Sequence, residues 1–259
     1  MTVDTLISIL LPETLALPQL LLLLATSFAT ALLTATLGVG GGVLLLAVVA
    51  SVLPPLAIIP VHGLVQAAAN GNRAILTRQH LNRFVFKHFI VGAVIGAILA
   101  SMLVVQLPTN AILLCIGLFI LLLTWGPALQ FQTLGPWSLR IAAGLTTFVS
   151  MFVGASGPLV AAFTQQLSHD RFQRVATFSA CMSLQHGLKL AVFGFLGFSF
   201  GDWIALIVAM ILTGVAGTWI GLNLLSKISN ERFNQVFKVI LTLMAAKLLY
   251  SALSGLLGF

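Results

Sequence analysis

The sequence predicts an all-α polytopic membrane protein made of two inverted repeats. Each repeat is a Gly-tipped helical hairpin plus three full transmembrane helices. Three observations carry this reading. Of 259 residues, 59% are hydrophobic and only 7% are charged. A soluble domain carries about 25% charged residues, so this chain cannot build a soluble surface. Several windows run about 20 apolar residues, the length of one helical crossing, without strand-like alternation. A Gly-rich break recurs in both halves, each time next to a segment too short for a comfortable span.

The elements follow in order. Apolar blocks occupy 16–37, 42–53, 56–77, 84–106, 110–126, 139–153, 158–168, 172–198, 203–226 and 233–257. Turn signals part them: Gly38–Gly42, Pro54–Pro55, Leu107–Pro108, Gly126–Pro127 with Gly135–Pro136, Gly154–Pro158, Ser168–Asp170 and Gly201–Asp202. A hydropathy count would give about eight segments. Blocks 42–53 and 158–168 reach only about 18 and 16 Å at helical rise, against a hydrocarbon core of roughly 30 Å. They read as second arms of hairpins whose tips are the two Gly-rich breaks. The whole chain, 1–259, reads as a single transmembrane domain. Its N-terminal stretch has no basic region before the apolar run and does not read as a cleaved signal peptide.

An internal repeat organises these blocks. At an offset of 116 residues, Gly38 to Gly42 overlies Gly154 to Pro158, Asn70-Gly71 overlies His186-Gly187, and Arg73 overlies Lys189. Further on the offset is 121, and Gly96 meets Gly217. The halves are 16–126 and 139–257. Charge sets their orientation. Loop 77–88 carries Arg78, Arg83 and Lys87 and reads as cytoplasmic, whereas its counterpart, 198–202, carries only Asp202. The pair 107–109 and 226–233 has the opposite bias, with Lys227 and Arg232 in the second member. Corresponding loops therefore lie on opposite sides, and the repeats are inverted. Both termini fall outside. The net charge of +7 and pI near 10.3 reflect these cytoplasmic loops, not a nucleic-acid partner. The bilayer is the partner the composition demands.

The chemistry centres on the two breaks. Gly-rich turns at helix starts expose backbone N–H groups and the positive end of a helix dipole to an anion. Gly38, Gly40, Gly41, Gly42, Gly154, Ser156 and Gly157 are thus candidate substrate contacts. Lys189 sits well inside block 172–198, where charge is expensive and usually functional. Its repeat partner Arg73 lies on block 56–77. Gln66, Asn70 and His62 accompany Arg73 near helical spacing, and Gln185 and His186 precede Lys189. The two histidines raise coupling to protons; sodium is the other coupling ion open to such a transporter. Trp125, Trp137 and Trp203 read as aromatic-belt anchors and Trp219 as packing. Cys115 and Cys181 both lie in apolar blocks and imply no disulfide framework. No metal constellation, cofactor motif or nucleotide-binding loop appears in the sequence.

Gly154-Ala155-Ser156-Gly157 also reads as G-x-S-G, the serine motif of rhomboid intramembrane proteases, with His186 on a later block. Against a hydrolase, the repeat twin of Ser156 is Gly40. A nucleophile has no use for a glycine twin, whereas a backbone nest does. An anion channel would share the same site. Taken together, the G-x-G-G-G hairpin, the basic loop after the next span, the second Gly motif and the Gly201-Asp202-Trp203 corner resemble the TauE/SafE family of sulfite exporters and membrane transporter permeases. The resemblance covers nearly the whole chain. It implies a secondary transporter, not an enzyme, exporting small sulfur-containing anions such as sulfite or sulfonates across a bacterial inner membrane. Gly40, Gly41, Gly42, Ser156 and Gly157 match its motif positions. Two departures touch the pocket: Val61-His62-Gly63 replaces a small, hydroxyl-rich patch, and Ser156-Gly157-Pro158 replaces a Gly run.

The charge bias of the loops yields a first prediction. Single cysteines at Arg83 and at Asp202, in a background without Cys115 and Cys181, should react with membrane-impermeant reagent from opposite faces. Labelling from one face would sink the inverted topology.

Overall fold

The computed structural model describes residues 15–37, 40–104, 108–126, 135–164, 171–224 and 230–257. Among them are ten α-helices and no strand. They are α1 (Leu17–Leu37), α2 (Gly41–Val52), α3 (Pro55–Leu76), α4 (Arg83–Val104), α5 (Thr109–Trp125), α6 (Pro136–Val153), α7 (Gly157–Thr164), α8 (Arg171–Phe195), α9 (Ile204–Leu224) and α10 (Asn230–Leu257). The starts follow local chemistry. Pro55 and Pro136 each occupy the first helical turn, where the missing N–H has no intrahelical partner to lose. That is why α6 begins three residues ahead of the apolar block at 139.

Four segments are both long and apolar enough to cross a bilayer: Leu17–Ala35, Arg83–Leu103, Gly201–Gly221 and Lys238–Leu256. Helices α3 and α8 are longer still, 22 and 25 residues. They are absent from that set because they carry the polar side chains: Gln66, Asn70, Asn72 and Arg73 on one, Gln185, His186 and Lys189 on the other. These two helices pack on each other and run antiparallel. Gly63 lies against the Lys189 stem, Gly71 against Ser183, and His80, in the turn after α3, stacks on Phe172 with ring centroids 5.2 Å apart.

Around this central pair the other long helices also pack in twos: α4 with α6, α1 with α9, and α5 with α10. The first two pairs approach through glycine. A Cβ at Gly92 or Gly96 of α4 would run into the backbone carbonyls of Arg140 or Gly144 on α6, and one at Gly217 of α9 into that of Phe28 on α1. At Gly221 the Leu32 carbonyl would stand 2.7 Å away. Glycines four apart let backbones touch, which is how membrane helices associate when no hydrophobic drive separates them from lipid. Ser27 Oγ adds a cross-link from α1 to α9, donating to the Met210 carbonyl at 2.6 Å. The main apolar core gathers α2, the first half of α3, α5, α9 and α10 around Leu46, Ile58, Ile116, Leu206 and Leu248. A second core joins α4, α6, α7 and α8 through Phe89, Leu139, Phe163 and Cys181.

Two tryptophans differ from the sequence expectation. Trp203 is buried in the main core, and Trp219 is 70% exposed on α9. Helix-end position alone does not tell which face of a helix a side chain takes. Trp125 behaves as an end residue should, donating from its indole to Thr242 Oγ1 at 2.8 Å and carrying Lys238 over its ring.

The close crossings make opposite forecasts for two Gly→Ala changes. Gly217→Ala should lower the melting temperature in detergent, because overpacking against backbone costs about 1–3 kcal/mol. Gly187→Ala, where a Cβ meets nothing within 4 Å, should be neutral or raise it, since alanine is favoured in a helix by about 1 kcal/mol.

Candidate functional site at two helix breaks

The first break lies between α1 and α2. Gly40 sits at φ 109°, a conformation open to glycine without a Cβ penalty. Its carbonyl takes the N–H groups of Val43 and Leu44, at 3.0 and 3.3 Å, so the N–H groups of Gly41 and Gly42 have no acceptor within α2. His62 of α3 fastens this tip by donating from Nε2 to the Gly42 carbonyl at 2.9 Å. A carbonyl can only accept, so Nε2 carries the proton. The other ring nitrogen, Nδ1, is buried without a partner.

The second break lies between α6 and α7. Gly154 sits at φ 83° and ends α6 by donating its N–H to the Ser150 carbonyl at 3.0 Å. Lys189 of α8 is fully buried, and its Nζ donates to the Gly154 carbonyl. A basic group at the carbonyl end of a helix meets the negative pole of the helix dipole. Ser156 opens α7 by accepting the Val160 N–H at 3.0 Å. Its own hydroxyl donates to Gln185 Oε1, and Gln185 Nε2 donates to Thr147 Oγ1 at 2.9 Å. The Gly157 N–H has no acceptor within α7, and Pro158 has none to offer.

The two tips meet at a pocket of about 40 Å³. From the first come Gly40, Gly42 and Val43; from the second, Ala155, Gly157 and Pro158. Helix α3 supplies His62, Gln66, Asn70 and Arg73, and α8 supplies Phe178, Met182 and His186. The volume corresponds to about three water-sized spheres, which limits an occupant to a small one. Arg73 is held by its own helix: Nη2 donates to Asn70 Oδ1 at 3.2 Å and Nε to the Ala69 carbonyl at 3.5 Å. Asn70 Nδ2 in turn donates to the Gln66 carbonyl at 2.9 Å. Guanidinium has five N–H donors, so this leaves most of them for an occupant. Two helix N-termini and one guanidinium converge here, and among the described residues no carboxylate lines the pocket. The arrangement favours an anion.

The structure divides the sequence-selected residues into two groups. Gly40, Gly42, Gln66, Asn70, Arg73, Gly157 and His186 line the pocket. Gly154, Ser156, Gln185 and Lys189 lie behind it and tie the second tip to α6 and α8. Gly38 lies outside the described residues. Gly41 lines a neighbouring pocket of about 40 Å³ that also borders Gln66 and Arg73. Its lining includes Ser27, Thr30, Thr34 and Thr218, which sequence inspection missed. Their signal was available: Ser27, Thr30 and Thr34 recur at helical spacing inside an otherwise apolar block. A larger apolar cavity of about 430 Å³ lies at the other end of the α3–α8 pair, bordered by Pro54, Ile59, Phe193, Phe198, Asp202 and Trp203. Along both helices, the Gly63–Lys189 contact falls between this cavity and the body of the tip pocket.

The sulfite exporter TauE/SafE family model matches residues 23–248 of the chain. The chain belongs to this family. As a TauE/SafE member it is a multi-pass membrane transport protein with a small-molecule substrate and a lipid surround. No curated protein and no solved structure matches it.

In this TauE/SafE chain the Ser156 hydroxyl gives its proton to an amide oxygen and not to an imidazole. A fluorophosphonate probe should therefore leave Ser156 unlabelled under conditions that label a serine hydrolase. Stoichiometric labelling at Ser156 would restore the protease reading.

Proposed function

We propose that the chain is a secondary transporter that exports a small sulfur-containing oxyanion or organosulfonate, such as sulfite, across the bacterial inner membrane. The anion binds between the two hairpin tips. The observation that carries this reading is the meeting of two helix N-termini and Arg73 in one small pocket that no carboxylate lines. Backbone N–H groups of Gly42 and Gly157 supply neutral donors, and Arg73 supplies charge. Asn70 and Gln66 orient the guanidinium. Ser156, Gln185 and Lys189 hold the second tip in register and act through it, not on the anion.

The inverted repeats, 16–126 and 139–257, belong to the same proposal. Exchanging each helix for its counterpart (α1 for α6, α2 for α7, α3 for α8, α4 for α9, α5 for α10) turns the α4–α6 pair into α9–α1. The same exchange leaves α3–α8 and α5–α10 as themselves. That pattern supports a twofold relation in the membrane plane, with corresponding loops on opposite sides and both termini outside. Under this topology the pocket lies toward the cytoplasmic side and the large apolar cavity toward the outside. The Gly63–Lys189 layer then closes one from the other, and rocking one group of helices against the other would open it. A channel shares the pocket but not this barrier. Saturable counterflow of labelled sulfite in proteoliposomes supports the carrier, and unsaturable conductance supports the channel.

Arg73 gives the direct test. Removing a buried charge partner of an anion costs about 2–5 kcal/mol. Arg73→Met should cut sulfite flux per folded molecule by about tenfold or more, since 1.4 kcal/mol is already a factor of ten. Arg73→Lys keeps the charge without the planar fork and should fall between. Normal flux in Arg73→Met would remove the pocket from the transport path.

A further inference from the structure

The proposed anion pocket is lined by a pair of nitrogen bases with no acid beside it among the described residues. The rings of His62 and His186 meet edge-on, with centroids 5.9 Å apart and planes at 69°. Both rings line the pocket, both are about 1% exposed, and each leaves a buried Nδ1 without a hydrogen-bond partner. Five further titratable side chains belong to the two helices that carry the pair, Arg171 and Arg174 of them in the first turn of α8. Lys189 and Cys181 lie on α8, and Arg73 on α3. Helices α2, α7 and α9, which pack on α3 or α8, contribute no titratable side chain; α4 and α6 carry Arg83, Lys87, His88 and Arg140 only near their starts. None of the five acidic residues of the chain falls within α1 to α9.

A buried positive charge persists only when something negative is near. Among the described residues, no carboxylate stands near either imidazole to hold an extra proton. An anion in the pocket is the missing counter-charge for a proton on either ring. The two ligands then assist each other, and the coupling is reciprocal.

From this geometry we infer that the His62–His186 pair is a proton-binding site that takes up one proton together with each anion, so that the transported unit is anion plus proton. The proton bonds to a vacant Nδ1 as the anion enters, and both leave on the other side. The inference rests on the anion reading of the pocket. It deepens that reading by naming the coupling ion and the residues that carry it. Lys189 is engaged with the Gly154 carbonyl and Arg73 with Asn70, which leaves the two Nδ1 atoms as the open proton acceptors.

The test uses purified full-length protein and thiosulfate, an oxyanion that holds no proton of its own near neutral pH. Calorimetric titration in two buffers of different ionisation enthalpy counts the protons taken up on binding. The expected result is about one proton per anion, with affinity rising about tenfold for each unit fall in pH over about pH 6 to 8. His62→Gln/His186→Gln keeps an N–H for Gly42 and removes both imidazoles; it should bind more weakly and take up no proton. Thiosulfate binding with no proton uptake and a flat pH profile would overturn the proton site while leaving the anion site standing. Failure of thiosulfate, sulfite and methanesulfonate all to bind would overturn the anion reading and this inference with it. Full proton uptake in the folded double variant would overturn the assignment to the histidine pair. Where the double variant does not fold, NMR of isotope-labelled histidine nitrogens in the unaltered protein decides. New imidazolium signals on thiosulfate addition support the inference, and an unchanged spectrum overturns it.

Discussion

A helix broken inside a bilayer exposes backbone groups that no water reaches, and each unsatisfied group costs several kcal/mol. The fold depends on how two such breaks are satisfied. At each tip one carbonyl is taken by a side-chain nitrogen from the central helix pair: Gly42 by His62 of α3, and Gly154 by Lys189 of α8. The breaks are thereby fastened to the middle of the protein, and their N–H ends are left facing one another across a small pocket.

This constraint explains why the long central helices are the polar ones. α3 and α8 must carry Gln66, Asn70, Gln185 and the two fastening groups, so they cannot be as apolar as the helices around them. They are shielded instead by pairs whose contacts are glycine against backbone, at Gly92, Gly96, Gly217 and Gly221. Those contacts need no polar groups and bring the outer pairs close. The polar centre and the small-residue crossings are two answers to one problem, which is how helices hold together where lipid is as apolar as leucine.

Burial also sorts the basic residues by role. Lys189 is spent on a backbone carbonyl, while Arg73 keeps donors in reserve beside the pocket. One bonds a backbone carbonyl, and the other lines the pocket. The asymmetry continues at the tips. The first offers Gly41 and Gly42, and the second offers Gly157 followed by a proline with no N–H. A site shared by two halves therefore reads an occupant unequally from its two sides.

The sequence by itself determined the class, the helix order and the two breaks. Composition forbids a soluble surface, and proline and glycine mark where helices start and stop. Family membership was legible in the same motifs. It also marked the depth of Lys189, His62 and Arg73, because depth follows from position along a helix. Direction does not. Whether a buried lysine points at a pocket or at a carbonyl depends on what the neighbouring element presents, and the carbonyl that Lys189 meets is 35 residues away in the chain. So the tertiary structure alone decided that Lys189 bonds the Gly154 carbonyl and Ser156 bonds Gln185, and that Trp203 is buried while Trp219 is exposed. Each of these follows from helix rotation, which is fixed by packing between helices and leaves no mark on hydropathy along one of them.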